Sequence, residues 1–378
     1  MKVDNYLSAL KQPFKLGALE LRNRSVMAPM TRMQTSDNQV DDKMVEYYRQ
    51  RAAGGLGLII TEGVPVNDSA HGYDNVPSFY GESIESWRPL VEAVHAEGAK
   101  IMPQLWHVGS VRQAGKGPNP LSPIYGPSAK IFPDPNNTGL DLPTEMTAEQ
   151  IEQVIGDFVN AAVAAKDLGF DGIELHGAHG YLLDQFMWQQ TNVRLDEFGG
   201  DTIAERINFV STLVKRVRAA VGPDFPIVLR ISQWKMGNYQ AKNAATPEEL
   251  AEQLLPLAEA GVDIFHASTR RWWQAEFAGS VLNYAGWIQK ITGKPTMTVG
   301  NIGVDHAYKD SRQQRKNTII EQSYEQLDQR LALGEFDLFA IGRALLADAN
   351  FVNKLFDNKE SEIINFNLER HMPYKSYE

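Results

Sequence analysis

Short, nearly continuous apolar runs recur along the chain, and each is followed by a segment whose apolar residues return every three or four positions. The runs are Ser25–Ala28, Leu58–Thr61, Ile101–Leu105, Ile173–Leu175, Pro226–Arg230, Asp263–His266, Thr296–Val299 and Leu338–Ile341. Parallel strands covered by helices on both faces need runs of this kind. The segments between them read as amphipathic helices. Asp41 caps one that carries Met44, Val45 and Tyr48; Ser83 opens another with Ile84, Trp87, Val91 and Val94 inward, weakened at Pro89. Thr147 with Gln150 makes a capping box ahead of Ile151, Val154, Ile155 and Phe158. Thr246, Pro247 and Glu249 supply a cap, a proline at N1 and an acid at N3, and Ser323 with Gln326 can cap a further helix.

Eight such units predict an α/β fold, a single (β/α)8 TIM barrel over residues 1–378. A doubly wound sheet needs only five or six units, and no G-x-G-x-x-G run follows the first strand. Phe14–Leu16 and Leu19–Leu21 flank Gly17-Ala18 and predict a short N-terminal β-hairpin, placed to plug the bottom of the barrel. Residues 109–146 are rich in Pro, Gly, Ser and Asn with little regular pattern; they predict a long loop or subdomain after the third strand, an excursion over the active-site mouth. The polar stretch 305–322 reads as a surface insertion.

Composition narrows the function. The chain is 43% hydrophobic and 22% charged, with a formal net charge of -10, which argues against a nucleic-acid partner. It has no Cys, so disulfides, thiolate zinc sites, cysteine-ligated iron–sulfur clusters and cysteine nucleophiles are excluded. No run of 18 apolar residues is present, and the opening MKVDNYLSALKQPF lacks the pattern of a signal peptide. The expectation is a soluble cytoplasmic enzyme, monomeric or homodimeric, with no membrane partner.

In a barrel the C-terminal ends of the strands face one mouth. The exits here are Pro29-Met30-Thr31, Glu62-Gly63, Gln104 with Trp106, His176 with His179 and Tyr181, Arg230, Gly300-Asn301 and Gly342-Arg343. The glycines after the seventh and eighth strands let backbone N–H groups approach a ligand, and Arg343 adds a fork at the start of the last helix, the usual place for a phosphate in such barrels. Taken alone, Gly-Arg is more often just a turn followed by a solvated Arg; its position beside Gly300 is what raises the phosphate reading. His176 and His179 have a spacing that permits metal binding, yet no HExxH pattern is present, and strand alternation turns Glu174 away; hydrogen-bond donation to a ligand is the better reading, with no metal. Arg230 ends an apolar strand and needs a partner if buried, either an anionic ligand or an Asp or Glu across the mouth. Trp106, Trp272 and Trp273 suit either core packing or the edge of a planar ligand.

The exit motifs, in this order, resemble the Old Yellow Enzyme family of FMN-dependent ene-reductases. The resemblance runs from about Phe14 to Phe356 and rests on LRNRSVMAPMTRM at 21–33, LIITEG at 58–63, QLWHVG at 104–109, GFDGIELHGAHGYLLDQF at 169–186, TNVRLDEFGG at 191–200, VLRIS at 228–232, VGNIG at 299–303 and LFAIGRALLAD at 338–348. It implies a single barrel that holds FMN non-covalently at its mouth and takes hydride from NADPH or NADH. By resemblance, Pro29, Met30 and Thr31 lie against the flavin ring, Gly63 and Gln104 meet its edge, and Arg230 stands where negative charge gathers on reduction. Gly300, Asn301, Gly342 and Arg343 resemble the phosphate cradle. His176 and His179 resemble the pair that polarises the acceptor oxygen, His176 also facing the cofactor, and Tyr181 resembles the proton donor; Trp106 and Trp273 border the substrate. The implied reaction passes hydride from flavin N5 to the β-carbon of an electron-poor alkene, with protonation of the α-carbon by Tyr181. Quinone and nitro acceptors meet the same demand. Thr31 and Trp106 resemble the yeast-and-plant-like branch, His179 another branch, and STRRWWQAEF at 268–277 matches neither. Competing readings are another FMN or phosphosubstrate barrel and a non-catalytic flavin-binding protein. A Schiff-base aldolase wants a Lys ending a strand near the sixth, and Lys235 lies well past Arg230.

Overall fold

The computed structural model of the chain describes residues 6–134, 139–304 and 323–371. The stretch 305–322, expected as a surface insertion, lies outside the described residues. Among the described residues a hairpin of β1 (Phe14–Leu16) and β2 (Leu19–Leu21) precedes β3 (Ser25–Met27), β4 (Leu58–Pro65) and β5 (Lys100–Trp106). Two short strands, β6 (Tyr125–Gly126) and β7 (Thr144–Glu145), pair with each other. Then come β8 (Ile173–His179), β9 (Ile227–Lys235), β10 (Ile264–Ser268), β11 (Thr296–Val299) and β12 (Leu338–Ile341). Strands β3, β4, β5 and β8 to β12 close into a barrel with every neighbouring pair parallel. The eight-stranded barrel and the hairpin follow the sequence expectation.

Period-two alternation divides the barrel residues between two apolar clusters. Val26, Leu58, Ile60, Met102, Val228, Ile264, Met297, Leu338 and Ala340 fill the interior and share one cluster with Phe14, Leu19 and Leu21, so the hairpin closes the lower end. Ile59, Ile101, Leu105, Ile173, Leu175, Leu229, Phe265 and Phe339 face outward, in the cluster the surrounding helices complete. Near the C-terminal ends of the strands the inward positions turn polar: Gln104, Glu174, His176, Arg230, His266 and Ser268 are all buried. This is where the interior changes from core to site.

The helices start where their caps predict. In α1 (Asp42–Ala53) the Met44 N–H donates to Asp41, in α3 (Ala148–Asp167) both halves of the Thr147–Gln150 box form, and in the helix Pro247–Ala260 the Glu249 N–H donates to Thr246. Ser323 caps the helix Tyr324–Ala332 in the same way. One start differs. Residues Gly81–Trp87 form a 3-10 turn and α2 (Arg88–Ala96) begins after it, which puts Pro89 in the first turn where its missing N–H costs nothing. No helix among the described residues is long and apolar enough to cross a membrane.

Candidate active site

Strands β8 and β9 run further than their apolar cores suggest. His179, expected on a loop, ends β8, and the register pairs His176 with Arg230 and His179 with Lys235 across a shift between Gly177 and His179. His179 adopts φ +66, and its N–H donates to Ser232 Oγ at 2.9 Å. Gly180 follows with φ +84, and a Cβ there would lie 2.4 Å from the Phe132 ring. Two left-handed residues in succession turn the chain sharply, so that Tyr181 starts the short helix α4 (Leu182–Met187) beside the strand it left.

A buried ion pair holds this turn. Lys235 Nζ lies 2.8 Å from Asp184 Oδ1 and both side chains are fully buried. Asp184 also accepts from the Gly180 N–H at 2.7 Å and from Asn243 Nδ2 at 2.9 Å. Burial pulls Lys235 down and Asp184 up, each opposed by the partner; three donors on one carboxylate keep the pair ionic. Lys235 is therefore committed to Asp184 and is no candidate for Schiff-base chemistry.

The strand ends enclose a cavity of about 410 Å³. Of the sequence-predicted residues, Pro29, Met30, Thr31, Gln104, Trp106, His176, His179, Tyr181, Arg230, Gly300, Asn301, Gly342 and Arg343 line it. Gly63 and Trp273 do not. Gly63 stands behind the wall, where a Cβ would come within 2.7 Å of the Trp106 ring and 3.2 Å of Gln104 Oε1. Its lack of a side chain is what lets those two reach the cavity. Trp273 packs edge-on against Trp272 in the outer core, and Trp234 occupies the aromatic position on the wall instead.

The reactive groups form a tight cluster. The rings of His176 and His179 meet edge to face at 5.2 Å, His176 and Tyr181 at 5.0 Å, and Trp106 and Tyr181 at 4.9 Å. Trp234 stacks on His179 at 4.2 Å and donates through Nε1 to the Ser268 carbonyl at 3.1 Å. His179 Nε2 lies 2.7 Å from Ser268 Oγ, whereas His176 Nδ1 is buried with no partner. Burial, then the Arg230 cation, hold both histidines well below the ordinary imidazole range, so both rings are neutral. Burial, reinforced by the neighbouring Tyr73 phenol, raises the Tyr181 phenol well above its ordinary value and keeps it protonated. Tyr73 in turn stacks on Trp106 at 5.6 Å.

Arg230 finds no carboxylate beside it. Its Nη2 donates to Ser268 Oγ at a long 3.5 Å, and Nε is buried without a partner. Of the two partners the sequence allows, the geometry favours an anionic ligand. Glu174, set aside in the sequence because alternation seemed to turn it away, lies on the same inward face as His176. It accepts from Gln104 Nε2 at 2.8 Å and pairs with His266 Nδ1 at 2.6 Å. That bond fixes the Gln104 amide with its oxygen as the remaining acceptor. At the other end of the cavity Gly300 takes φ +145 and could carry no Cβ, which would lie 2.7 Å from the Thr269 carbonyl. Asn301 beside it takes φ +56, and Arg343 Nη2 donates to Asn301 Oδ1 at 2.8 Å. Among the described residues no cluster of three potential metal ligands occurs. The donor set therefore fits a planar ring with a polar edge and an anionic tail: an orphaned Arg230, an amide of fixed orientation and a glycine cradle beside an arginine.

Trp234 and Tyr73 escaped the sequence reading, and Ser268 and Arg270, in the 268–277 segment expected over the mouth, were not singled out there. Trp234 had a signal: continuing β9 in steps of two from Arg230 puts residue 234 on the same face. Tyr73 had none, since a segment far from any strand end brings it in.

A family model for the NADH:flavin oxidoreductase / NADH oxidase family matches residues 9–362. The chain is similar to 12-oxophytodienoate reductase 2 of Arabidopsis thaliana, with 34% identity over 350 residues, 90% of this chain and 86% of that protein. It is 42% identical to putative 12-oxophytodienoate reductase 4 of Oryza sativa subsp. japonica over 214 residues, and there the match spans only 56% of the relative's length. Among solved structures, an old yellow enzyme homologue from Zymomonas mobilis has a TM-score of 0.78 at 23% identity over 96% of each chain, a likeness of fold. Morphinone reductase, solved in complex with tetrahydroNAD, has a TM-score of 0.75 at 26% identity over 93% of this chain and 91% of its own.

Proposed function

The chain belongs to the NADH:flavin oxidoreductase / NADH oxidase family, the Old Yellow Enzyme family, and on that premise we infer that it is an FMN-dependent ene-reductase, using NADPH or NADH to reduce the activated C=C bond of α,β-unsaturated carbonyl or nitro compounds. The observation that carries this reading is the convergence of two neutral histidines and a protonated tyrosine on the same cavity as an unpaired buried arginine and a glycine–arginine cradle.

Bound FMN would supply two-electron transfer between coenzyme and acceptor. Pro29, Met30, Thr31 and Gln104 would hold its ring, Arg230 its electron-rich end, and Gly300, Asn301, Gly342 and Arg343 its phosphate. Arg230 is fixed and desolvated before any charge develops, which is electrostatic preorganisation. His176 and His179 bind the acceptor oxygen as neutral donors and draw electron density from the alkene, as an oxyanion hole does. Tyr181 gives its proton to the α-carbon. A phenol held above its ordinary range keeps that proton at every working pH, while a carbanion-like carbon is a strong enough base to take it. Tyr73 and Trp106 pack beside Tyr181 and would limit where its ring can swing.

The test is the Tyr181→Phe variant, followed in its two halves. Flavin reduction by the coenzyme should proceed as in the parent chain, and reoxidation by cyclohexenone should slow about a hundredfold or more. Equal loss in both halves would contradict the assigned role.

A further inference from the structure

The cavity is cationic in a chain that is not. Its wall includes Arg230, Arg270 and Arg343 and, among the described residues, no Asp or Glu, although acids outnumber bases 47 to 37 in the whole sequence. Arg230 and Arg343 have roles in the reading above. Arg270 has none. It follows β10 in the segment STRRWWQAEF.

The Arg270 main chain adjoins the Gly300 turn, where an added Cβ would come within 3.1 Å of its carbonyl carbon. The side chain instead lies over Tyr239, with the guanidinium carbon 3.8 Å from the ring centroid. Arg270 makes no ion pair with any described residue. Tyr239 leans on Trp234 at 5.7 Å, Trp234 stacks on His179 at 4.2 Å, and His179 meets His176 at 5.2 Å. An unbroken strip of rings thus runs from the histidine pair to one unpaired cation. A guanidinium held over an aromatic face is already ordered, and its N–H donors can still meet an anion.

The geometry points to Arg270 as an anion subsite. It takes a carboxylate or phosphate carried by a molecule whose reactive end lies at His176 and His179. The inference rests on the functional reading given above. Two molecules can bring such a group: an acceptor with an acidic tail, which would lie along the strip of rings, or the coenzyme with its 2′-phosphate.

Cyclohexenones with carboxylate-ended alkyl tails of graded length, and their methyl esters, distinguish these sources when titrated against the tryptophan fluorescence of the full chain. At the best tail length the acid should bind about tenfold more tightly than the ester, and salt should erode that preference. Arg270→Gln should abolish the preference and Arg270→Lys keep part of it. In parallel, flavin reduction by NADPH and by NADH is compared in the same variants. A NADPH-over-NADH ratio that collapses in Arg270→Gln, with acid and ester bound equally, assigns the anion to the coenzyme and also supports the subsite. Both ratios unmoved by Arg270→Gln, or equal losses for charged and neutral partners, would overturn it. Should that variant not fold, an acid preference in the parent chain that ignores salt, or one that Arg270→Lys leaves untouched, overturns it equally. A chain that takes up no FMN yet still prefers acid to ester would sink the functional reading and leave the subsite standing.

Discussion

Glu174 Oε2 lies 2.6 Å from His266 Nδ1, and both side chains are fully buried one inward position below His176 and Ser268. The other Glu174 oxygen accepts from Gln104 at 2.8 Å. One carboxylate therefore orients an amide on the cavity wall and a buried ring, and it is the strongest opposing charge acting on Arg230. Glu174→Gln removes the charge with little change of shape. Stability should fall by about 1–3 kcal/mol, as expected for a buried charge-assisted hydrogen bond, and FMN affinity should fall with it because Gln104 is free to flip. A urea midpoint and a flavin-fluorescence titration check both. Parent-like values in the two together would remove Glu174 from this role.

Asp184 and Lys235 carry the turn on which His179 and Tyr181 stand. Asp184→Asn leaves a fully buried ammonium with a neutral neighbour and should cost about 3–5 kcal/mol. An apolar pair, Asp184→Leu with Lys235→Met, should recover much of that loss, because the expense lies in the unpaired charge. Denaturant unfolding of the single and paired variants measures it. A double variant as unstable as the single one would mean that the turn depends on the ion pair's geometry rather than on its neutralisation.

Much of the fold was legible because it is written in period. All eight barrel strands fall where continuous apolar runs occur, and the caps at Asp41, Thr147, Thr246 and Ser323 mark real helix starts. The strand ends were less legible. Polar residues such as His176 and His179 in β8 and Ser232 and Gln233 in β9 break the apolar signal where the barrel interior becomes a site, so both strands read too short from sequence, and Glu174 faces inward rather than away. The motif residues around His176, Arg230 and Arg343 were found through order and resemblance. Trp234 took the place expected for Trp273 because adjacent tryptophans give no sign of which element they will pack against, whereas Trp234 is fixed by strand alternation. Tyr73 reaches Trp106 and Tyr181 only through tertiary packing.

Neutral buried histidines make the protein acid-sensitive. Burial, then the Arg112 cation, push His71 down to about 4 and His107 down to about 3 from the ordinary 6.5. His107 Nδ1 accepts from the Gly109 N–H at 3.1 Å, which a protonated ring does not do. His176, His179 and His266 are lowered as well. Below about 6.5 the unfolded chain takes up these protons and the folded chain does not, so the unfolded state binds more protons there. Stability is fully present above that pH and should decline as pH falls toward 4 and then 3. Urea midpoints from neutral pH down to about pH 4 follow this decline. A midpoint that stays level through that window would show that the folded protein takes up the same protons.

Arg343 donates to Asn301 at 2.8 Å and lies 5.7 Å from the centroid of Phe366, so its fork is held beside the Gly300 turn. Arg343→Ala should weaken FMN retention about tenfold or more. Equilibrium dialysis of the parent and variant against FMN is the check. Unchanged affinity would take Arg343 out of the phosphate cradle.

The most direct measurement is the visible spectrum of the purified chain, recorded anaerobically before NADPH, after it, and after cyclohexenone. A flavin band that bleaches with NADPH and returns with the enone is the predicted result, joining cofactor, coenzyme and acceptor in one experiment. A colourless chain that cannot be reconstituted with FMN, or a band that the enone fails to restore, would contradict the ene-reductase reading.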